Sequence, residues 1–139
     1  MSMLERIRGM VLELPVHRQA GLRLVSAADG RATVRYDVND YTANVQDMLH
    51  GGYVTMMHDV ASVLAVATLL PTEKHAVTCE TQSSILRPAN RGEIIEVRAQ
   101  VDRLGRTLAF MRSETYAIDS SGKERLIATG SLTKAVTSA

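Results

Sequence analysis

The stretch NVQDMLHGG (residues 44–52) leads directly into an apolar segment, Tyr53 to Leu70, that contains a single carboxylate, Asp59. Drawn as a helix, this segment has apolar side chains in almost every direction, which indicates a helix enclosed by the rest of the chain. Its polar entrance with a glycine pair leaves backbone N–H groups free to meet an anion or a carbonyl oxygen. A carboxylate within such a helix is typical of a reactive site, so the segment predicts an enzyme.

Strand-like segments flank this helix on both sides. Apolar and polar residues alternate in Arg31–Val38 and in Glu93–Arg103, which is typical of strands with one buried face. Short turns separate the segments after the helix and predict antiparallel meander pairing. The predicted strands are Gly21–Ala27, Arg31–Val38, His75–Arg87, Glu93–Arg103, Thr107–Ile118 and Arg125–Thr137.

The order of these elements predicts the fold class. Before the first strand, apolar residues recur at helical spacing over residues 4–14, and Pro15 is expected to end that helix. An antiparallel sheet curled around one long helix is the simplest arrangement that buries the helix. The sequence therefore predicts the α+β class and a hot-dog fold: a long central helix wrapped by a curved antiparallel β-sheet, with a short N-terminal helix.

Length and composition fit one domain. The 139 residues, 45% of them hydrophobic, can bury about two thirds of the surface that the unfolded chain exposes. We expect one domain over residues 1–139, with a helix in 1–15 and a core over 16–137. The 16 basic and 15 acidic residues are spread along the chain with a formal net charge of +1, so no nucleic-acid partner is expected.

Three features bear on the compartment. The N-terminal sequence MSMLER is charged early and has no apolar core, so no secretory signal is expected. Asp59 interrupts the apolar helix, and the remaining run Val60–Leu70 is too short to cross a bilayer. Cys79, the only cysteine, excludes an internal disulfide, and its strand-like neighbours predict a small buried hydrophobe. We expect a soluble cytoplasmic protein without a membrane partner.

Asn44, His50-Gly51-Gly52, Asp59 and Ala61 follow one another in an order and spacing that resemble the signature of PaaI-like acyl-CoA thioesterases. The motifs LRPA (residues 86–89) and GRTLA (residues 105–109) resemble the same family at its third strand and at its fourth-to-fifth strand hairpin. The resemblance covers roughly Gly21 to Val136. It implies hydrolysis of an acyl-CoA substrate to a carboxylic acid and free CoA, without a cofactor.

The same resemblance implies a role for each of five residues. Asp59 matches the catalytic carboxylate, acting as general base toward water or as nucleophile. The backbone N–H of Gly51 matches the donor that polarises the thioester carbonyl. Asn44 and His50 match polar residues that line this oxyanion region. Thr78 lies where the family often has a serine or threonine that helps to hold the attacking water.

These residues also have purely structural interpretations. The glycine pair can simply make a tight turn into the helix, and His50 can cap it. Asp59 can be satisfied by Thr55 or Ser62, which lie about one turn away on the same helix face. A polar stripe on an otherwise apolar helix equally describes the wall of a cleft, so both interpretations stay open.

The histidines do not suggest a metal site. His50, His58 and Asp59 lack the spacing of a recognised metal motif, so no metal is expected. His58 departs from the family pattern, which commonly has a small or apolar residue at this position. We expect the imidazole ring of His58 to be partly buried and hydrogen-bonded. His17 and His75 are expected at strand edges, facing solvent.

Arginines at the predicted turns are candidates for binding the phosphates of CoA, because guanidinium groups match phosphate oxygens in geometry. Ordinary solvated turn charge explains them equally well. The residues concerned are Arg87, Arg91, Arg103 and Arg106.

The spacing of Gly51 and Asp59 predicts a shared site. Eight residues along a helix place them about 12 Å apart, too far for one thioester to touch both in one chain. If both act on one carbonyl, they come from different subunits of a two-fold homodimer with two equivalent composite sites. The family resemblance also implies oligomerisation, and a dimer of dimers is the expected larger assembly.

Two other functions are compatible with the fold. A hot-dog hydroxyacyl-thioester dehydratase or hydratase needs a histidine and an acid placed for proton abstraction and return. A non-catalytic acyl-CoA-binding protein or an inactive dimerisation domain needs only the cleft or the interface. Function resides in the site rather than in the fold, so the geometry of these residues decides.

Overall fold

The long apolar helix forms as predicted and packs against a six-stranded sheet. The computed structural model describes residues 1–139. Helix α3 spans Gly51–Ala67, so it begins earlier than predicted because the glycine pair is itself helical. This central helix within an antiparallel sheet confirms the hot-dog fold. The other elements are α1 (Met3–Glu13), α2 (Pro15–Gln19), β1 (Arg23–Ala28), β2 (Arg31–Asp37), β3 (Lys74–Ile85), β4 (Ile94–Leu104), β5 (Leu108–Ile118) and β6 (Glu124–Ser138).

The sheet is antiparallel throughout, in the order β1-β2-β4-β5-β6-β3. The predicted meander is confirmed for β4, β5 and β6 but is wrong for β3, which pairs with β6 instead of β4. The connection over residues 86–93 runs beside the loop that precedes α3, where the carbonyl oxygen of Ala89 accepts from the N–H of Leu49 at 2.9 Å. The chain therefore passes the end of the helix between β3 and β4, and β3 becomes an edge strand of 12 residues.

Helix α3 is enclosed by two apolar clusters. Its first turns pack against the inward faces of β2 and β4, which include Val34 and Val97. The end of the helix packs against Met3 and Ile7 of α1 and against β5 and β6. This enclosure is what a helix without a polar face requires. None of the three helices is long and apolar enough to cross a membrane.

A second short helix follows the N-terminal one. Helix α1 begins with a capping box formed by Ser2 and Glu5. Pro15 follows its end, as expected, but also starts α2, where the missing proline N–H costs no hydrogen bond. His17 thus lies in α2 and is buried, with Nδ1 2.7 Å from the carbonyl oxygen of Val11. The prediction of a solvent-facing His17 at a strand edge is wrong, because the pattern of α2 was too short to recognise.

The position of β3 at the sheet edge changes two expectations. Cys79 is exposed rather than buried. The pairing of β3 with β6 shifts register between Thr78 and Glu80, so Cys79 lies at a bulge with no partner residue. His75 is half-buried near the start of β3 and does not face solvent fully.

His58 ties α3 to the sheet. Its ring is completely buried, with Nδ1 2.9 Å from Ser83 Oγ of β3 and Nε2 2.6 Å from Thr115 Oγ1 of β5. Gly130 of β6 makes room for the ring, because a Cβ there would collide with it. The predicted hydrogen-bonded histidine is confirmed, with fuller burial than expected. Burial lowers the pKa of His58 to about 4.

We expect stability to fall on acidification partly through His58. Its folded pKa of about 4 lies below the ordinary value of 6.5, so the unfolded chain takes up this proton first as the pH falls. The free energy of unfolding should decrease by about 2–3 kcal/mol between pH 6.5 and pH 4 through this group. Urea unfolding across this range measures the slope.

The controls for this pH dependence are two single variants. His58→Asn should lose this part of the slope, whereas His75→Gln should keep it. A His58→Asn protein with the full wild-type slope would show that other groups cause the pH dependence.

Candidate active site

The N-terminus of α3 presents a free backbone donor. His50 is the N-cap, and its Nδ1 accepts from the N–H of Gly52 at 2.8 Å, so the capping interpretation of His50 describes its geometry. The N–H of Gly51 makes no hydrogen bond within the chain. It lies at the positive end of the helix dipole, next to Ile85 of β3, whose Cδ1 would be 3.0 Å from a Cβ on Gly51. This N–H can therefore donate to an oxygen atom supplied from outside the chain.

Asn44 shapes the loop that leads to this donor. Its Oδ1 accepts from the N–H groups of Gln46 at 2.9 Å and Met48 at 3.2 Å, and its own N–H donates to the carbonyl oxygen of Met48 at 2.7 Å. The side-chain Nδ2 makes no hydrogen bond within the chain. Asn44 thus holds the loop with its oxygen and leaves its amide nitrogen available.

Arg91 is committed to the same loop. Its Nε donates to Asp47 at 2.6 Å, and its Nη1 donates to Asp40 at 2.7 Å. These carboxylates neutralise its charge, so Arg91 is a poor candidate for binding a phosphate. The other candidate arginines are exposed and form no ion pair within the chain: Arg87, Arg103 and Arg106.

Asp59 is bound by residues of the sheet, not of its own helix. Its Oδ1 accepts from Thr78 Oγ1 of β3 at 2.5 Å and from Lys134 Nζ of β6 at 2.6 Å. The expected alternative partners are wrong: Thr55 makes no hydrogen bond to the carboxylate, and Ser62 donates to the carbonyl oxygen of His58 at 2.7 Å. The other oxygen, Oδ2, has no partner within the chain, and the side chain is 41% exposed.

Lys134 is the residue that sequence analysis missed. Its side chain is only 1% exposed, and Nζ donates to Thr78 Oγ1 at 2.6 Å as well as to Asp59. A signal was present in the sequence, because Leu132, Lys134 and Val136 alternate along β6 on the face that the sheet turns inward. A lysine at a buried position of a strand requires a partner, and the sequence does not show which one.

The structure separates the predicted site residues into two groups. Asn44 and His50 lie in the loop that leads into α3, and Gly51 begins the helix next to Ile85, whereas Asp59 lies with Thr78 further along the helix and the edge strand. Both Gly51 and Asp59 lie on α3, whose rise corresponds to about 12 Å between them. One protomer therefore presents a donor and a carboxylate that cannot reach the same carbonyl.

Comparisons with known proteins identify the family of the chain. Residues 46–122 match the sequence profile of the thioesterase superfamily. The chain belongs to the thioesterase superfamily. It is 34% identical to human acyl-coenzyme A thioesterase 13 over 96% of this chain and 93% of that protein. A thioesterase family protein from Silicibacter pomeroyi matches the fold with a TM-score of 0.89 and 28% identity, over 99% of both chains.

A third similar protein connects the chain to the family that its motifs resemble. A variant of the phenylacetic acid degradation protein PaaI from Thermus thermophilus matches with a TM-score of 0.76 and 29% identity, over 88% of this chain and 98% of that one. The resemblance to PaaI-like thioesterases is thereby confirmed. The thioesterase is an enzyme of the hydrolase class.

We expect the Asp59–Lys134 ion pair to affect stability asymmetrically. Asp59→Ala leaves the Lys134 ammonium buried with Thr78 as its only partner, which should lower the free energy of unfolding by about 1–3 kcal/mol. Asp59→Ala combined with Lys134→Met should recover most of that loss, because both charges are then absent. Urea unfolding of the single and double variants measures the difference.

A matched control is the exposed pair of Asp102 and Arg112. Asp102 is 42% exposed, like Asp59, but its partner Arg112 is 65% exposed. Asp102→Ala should therefore change stability by less than about 1 kcal/mol. Equal losses in Asp59→Ala and Asp102→Ala would show that burial of Lys134 is not the cause.

Proposed function

We propose that this thioesterase hydrolyses acyl-CoA thioesters to a carboxylic acid and free CoA. Human acyl-coenzyme A thioesterase 13 bears this substrate class in its name, and its similarity extends over nearly the whole chain. The observation that carries the proposal is the state of Asp59: one oxygen is held by Lys134 and Thr78, and the other is free and accessible. Such a carboxylate is ready to take a proton from water or to attack a carbonyl carbon.

Two routes use this carboxylate. In the general-base route, a water oxygen attacks the thioester carbon while Asp59 Oδ2 takes one of its protons. The carbonyl π electrons move onto oxygen, and collapse of this oxyanion breaks the C–S bond and releases the thiolate, which is then protonated. In the nucleophilic route, Asp59 Oδ2 attacks first, the thiolate leaves, and water hydrolyses the resulting mixed anhydride.

The oxyanion in either route needs donors. We assign the N–H of Gly51 as the main donor, since it is unpaired at a helix N-terminus. Loss of one such donor typically costs about 2.7–4 kcal/mol of transition-state stabilisation. Asn44 Nδ2 and His50 Nε2 are the supporting donors; because His50 Nδ1 accepts a hydrogen bond, the neutral ring carries its proton on Nε2. The remaining lone pair of Thr78 Oγ1 is assigned to the attacking water.

The donor and the carboxylate come from different protomers in this proposal. Strand β3 is an edge strand, and most of its residues are exposed. Unpaired N–H and C=O groups along such an edge favour pairing with another strand. Antiparallel pairing of β3 with the same strand of a second copy gives a closed two-fold dimer with two equivalent sites. Pairing of two dimers into a dimer of dimers remains an expectation from the family.

The contacts within one protomer specify the register of this pairing. Asp59 contacts Thr78, and Gly51 lies against Ile85. For the carboxylate of one protomer to meet the Gly51 N–H of the other, Thr78 must lie opposite the partner's Ile85. In antiparallel strands the two-fold axis then lies midway, between Thr81 and Gln82. Arg87, Arg103 and Arg106 are the exposed cations that we assign to the CoA phosphates.

Mixing two inactive variants tests the shared site. Asp59→Asn lacks the carboxylate, and Gly51→Val places a side chain against Ile85 and in the path to the N–H. Each variant alone should lose at least about 99% of activity in a thiol-release assay over a panel of acyl-CoAs. After subunit exchange of equal amounts, about a quarter of wild-type activity should return, because half of the dimers then hold one intact site. Failure to regain activity after exchange would contradict the shared-site arrangement.

Cysteine cross-linking tests the register. Thr81→Cys with Gln82→Cys, in a Cys79→Ser background, should form a disulfide-linked dimer under mild oxidation. Directly opposed residues of antiparallel strands lie about 4.5–5.5 Å apart at Cα, within the range of disulfides. The control is Lys74→Cys with His75→Cys near the start of β3, which should stay monomeric on a non-reducing gel. Linkage through the control pair alone would place the axis elsewhere.

The hydratase alternative fits the geometry less well. His58 is completely buried with both ring nitrogens bonded, and its lowered pKa leaves it neutral near pH 7. His50 uses Nδ1 to cap α3. With Nδ1 accepting and Nε2 protonated, His50 has no free lone pair to take a substrate proton, and His58 has none either, so crotonyl-CoA should release thiol or stay intact rather than become hydrated.

A further inference from the structure

Lys134 occupies a position that stability alone does not explain. Its side chain lies on the inner face of β6, in register with Thr78 of β3 and Ala109 of β5. It is 1% exposed, and its hydrogen bonds go to Asp59 and Thr78 only. Burying an ammonium costs several kcal/mol, and apolar residues commonly replace buried ion pairs without loss of stability. A methionine or leucine would serve the core at least as well.

We propose that Lys134 is a positioning residue for thioester hydrolysis, holding the Asp59 carboxylate turned so that Oδ2 faces the reacting water or carbonyl. This inference rests on the proposed function, in which Asp59 is the catalytic carboxylate. Lys134 does not touch substrate; it acts through Asp59 and Thr78.

The three polar groups form a closed triangle. Lys134 Nζ donates to Asp59 Oδ1 and to Thr78 Oγ1, both at 2.6 Å, and Thr78 Oγ1 donates to Asp59 Oδ1 at 2.5 Å. Since the Thr78 hydroxyl has one proton, accepting from Lys134 directs that proton to Asp59. Both contacts go to the same carboxylate oxygen, so they fix its rotation and leave Oδ2 unpaired. Because β3 and β6 are neighbouring strands, the sheet holds the carboxylate of the helix in place.

Lys134 is also the charged side chain in contact with Asp59. On α3, His58 turns to Ser83 and Thr115 and is neutral near pH 7. On β3, Glu80 is exposed and pairs with Thr133, away from the inward residues of β6. On β5, the residue in register is Ala109. Removing the cation therefore leaves the Asp59 carboxylate without a charged partner.

The test compares neutral and charged replacements of Lys134 in the 139-residue thioesterase chain. Lys134→Met is similar in length, fits an apolar site and should fold with at least wild-type stability. Its kcat for acyl-CoA hydrolysis at pH 7 should fall about 10- to 100-fold, as expected for a misplaced catalytic group, with KM changed less than about threefold. The acidic limb of its kcat/KM–pH profile should move to higher pH. If Lys134 had only a structural role, its replacement would lower the amount of folded enzyme but leave the acidic limb of the kcat/KM–pH profile unchanged.

Two further variants complete the test. Lys134→Gln keeps a donor without charge and should show the same displaced limb, even if Lys134→Met folds poorly. Lys134→Arg keeps the charge and should retain the wild-type limb. In the Asp59→Asn background, Lys134→Met should have no additional effect on residual activity, because both substitutions then remove the same function.

The outcomes separate this inference from the proposed function. If Asp59→Asn is inactive while Lys134→Met and Lys134→Gln keep wild-type kcat and pH profile, the positioning role is wrong and the proposed function stands. If Asp59→Asn keeps wild-type thiol release, the proposed function is wrong, and the role of Lys134 falls with it.

Discussion

Enclosure of helix α3 is the constraint on which this structure depends. The helix has no polar face, so the sheet must surround it, and strands β2, β4, β5, β6 and β3 all contribute inward side chains. A buried polar side chain on the helix must then find hydrogen-bond partners within the protein, either on those strands or on the helix itself. His58 and Asp59 are adjacent in sequence but contact different parts of the sheet: His58 bonds to Ser83 of β3 and Thr115 of β5, and Asp59 bonds to Thr78 of β3 and Lys134 of β6.

His58 and Asp59 are satisfied in different ways, and this difference separates a structural role from a chemical one. His58 is completely buried and uses both ring nitrogens, so it is a fixed anchor. Asp59 uses one oxygen for the sheet and keeps the other for solvent or substrate. A carboxylate that is half engaged can be both oriented and reactive, which a fully satisfied or a fully solvated carboxylate cannot.

The edge position of β3 connects the fold to the set of residues that can form the site. The chain passes the end of α3 between β3 and β4, so β3 has no strand neighbour on one side. Two residues of β3 contact the helix: Ile85 lies next to Gly51, and Thr78 bonds to Asp59. The same strand therefore touches the donor end of the helix and its carboxylate. In the dimer that we propose, one strand pairing brings the donor of each protomer to the carboxylate of the other.

The sequence by itself determined the central helix, the β4–β5 and β5–β6 pairings and the wide spacing of Gly51 and Asp59, because these depend on local periodicity, short turns and helical rise. It also predicted Thr78 near Asp59 through family resemblance. Only the tertiary structure decided that β3 lies at an edge, that Cys79 is exposed at a bulge, and that Lys134 binds Asp59 from 75 positions away. These depend on which strands become neighbours, and strand pairing is set by how the chain closes around the helix, which no local pattern encodes.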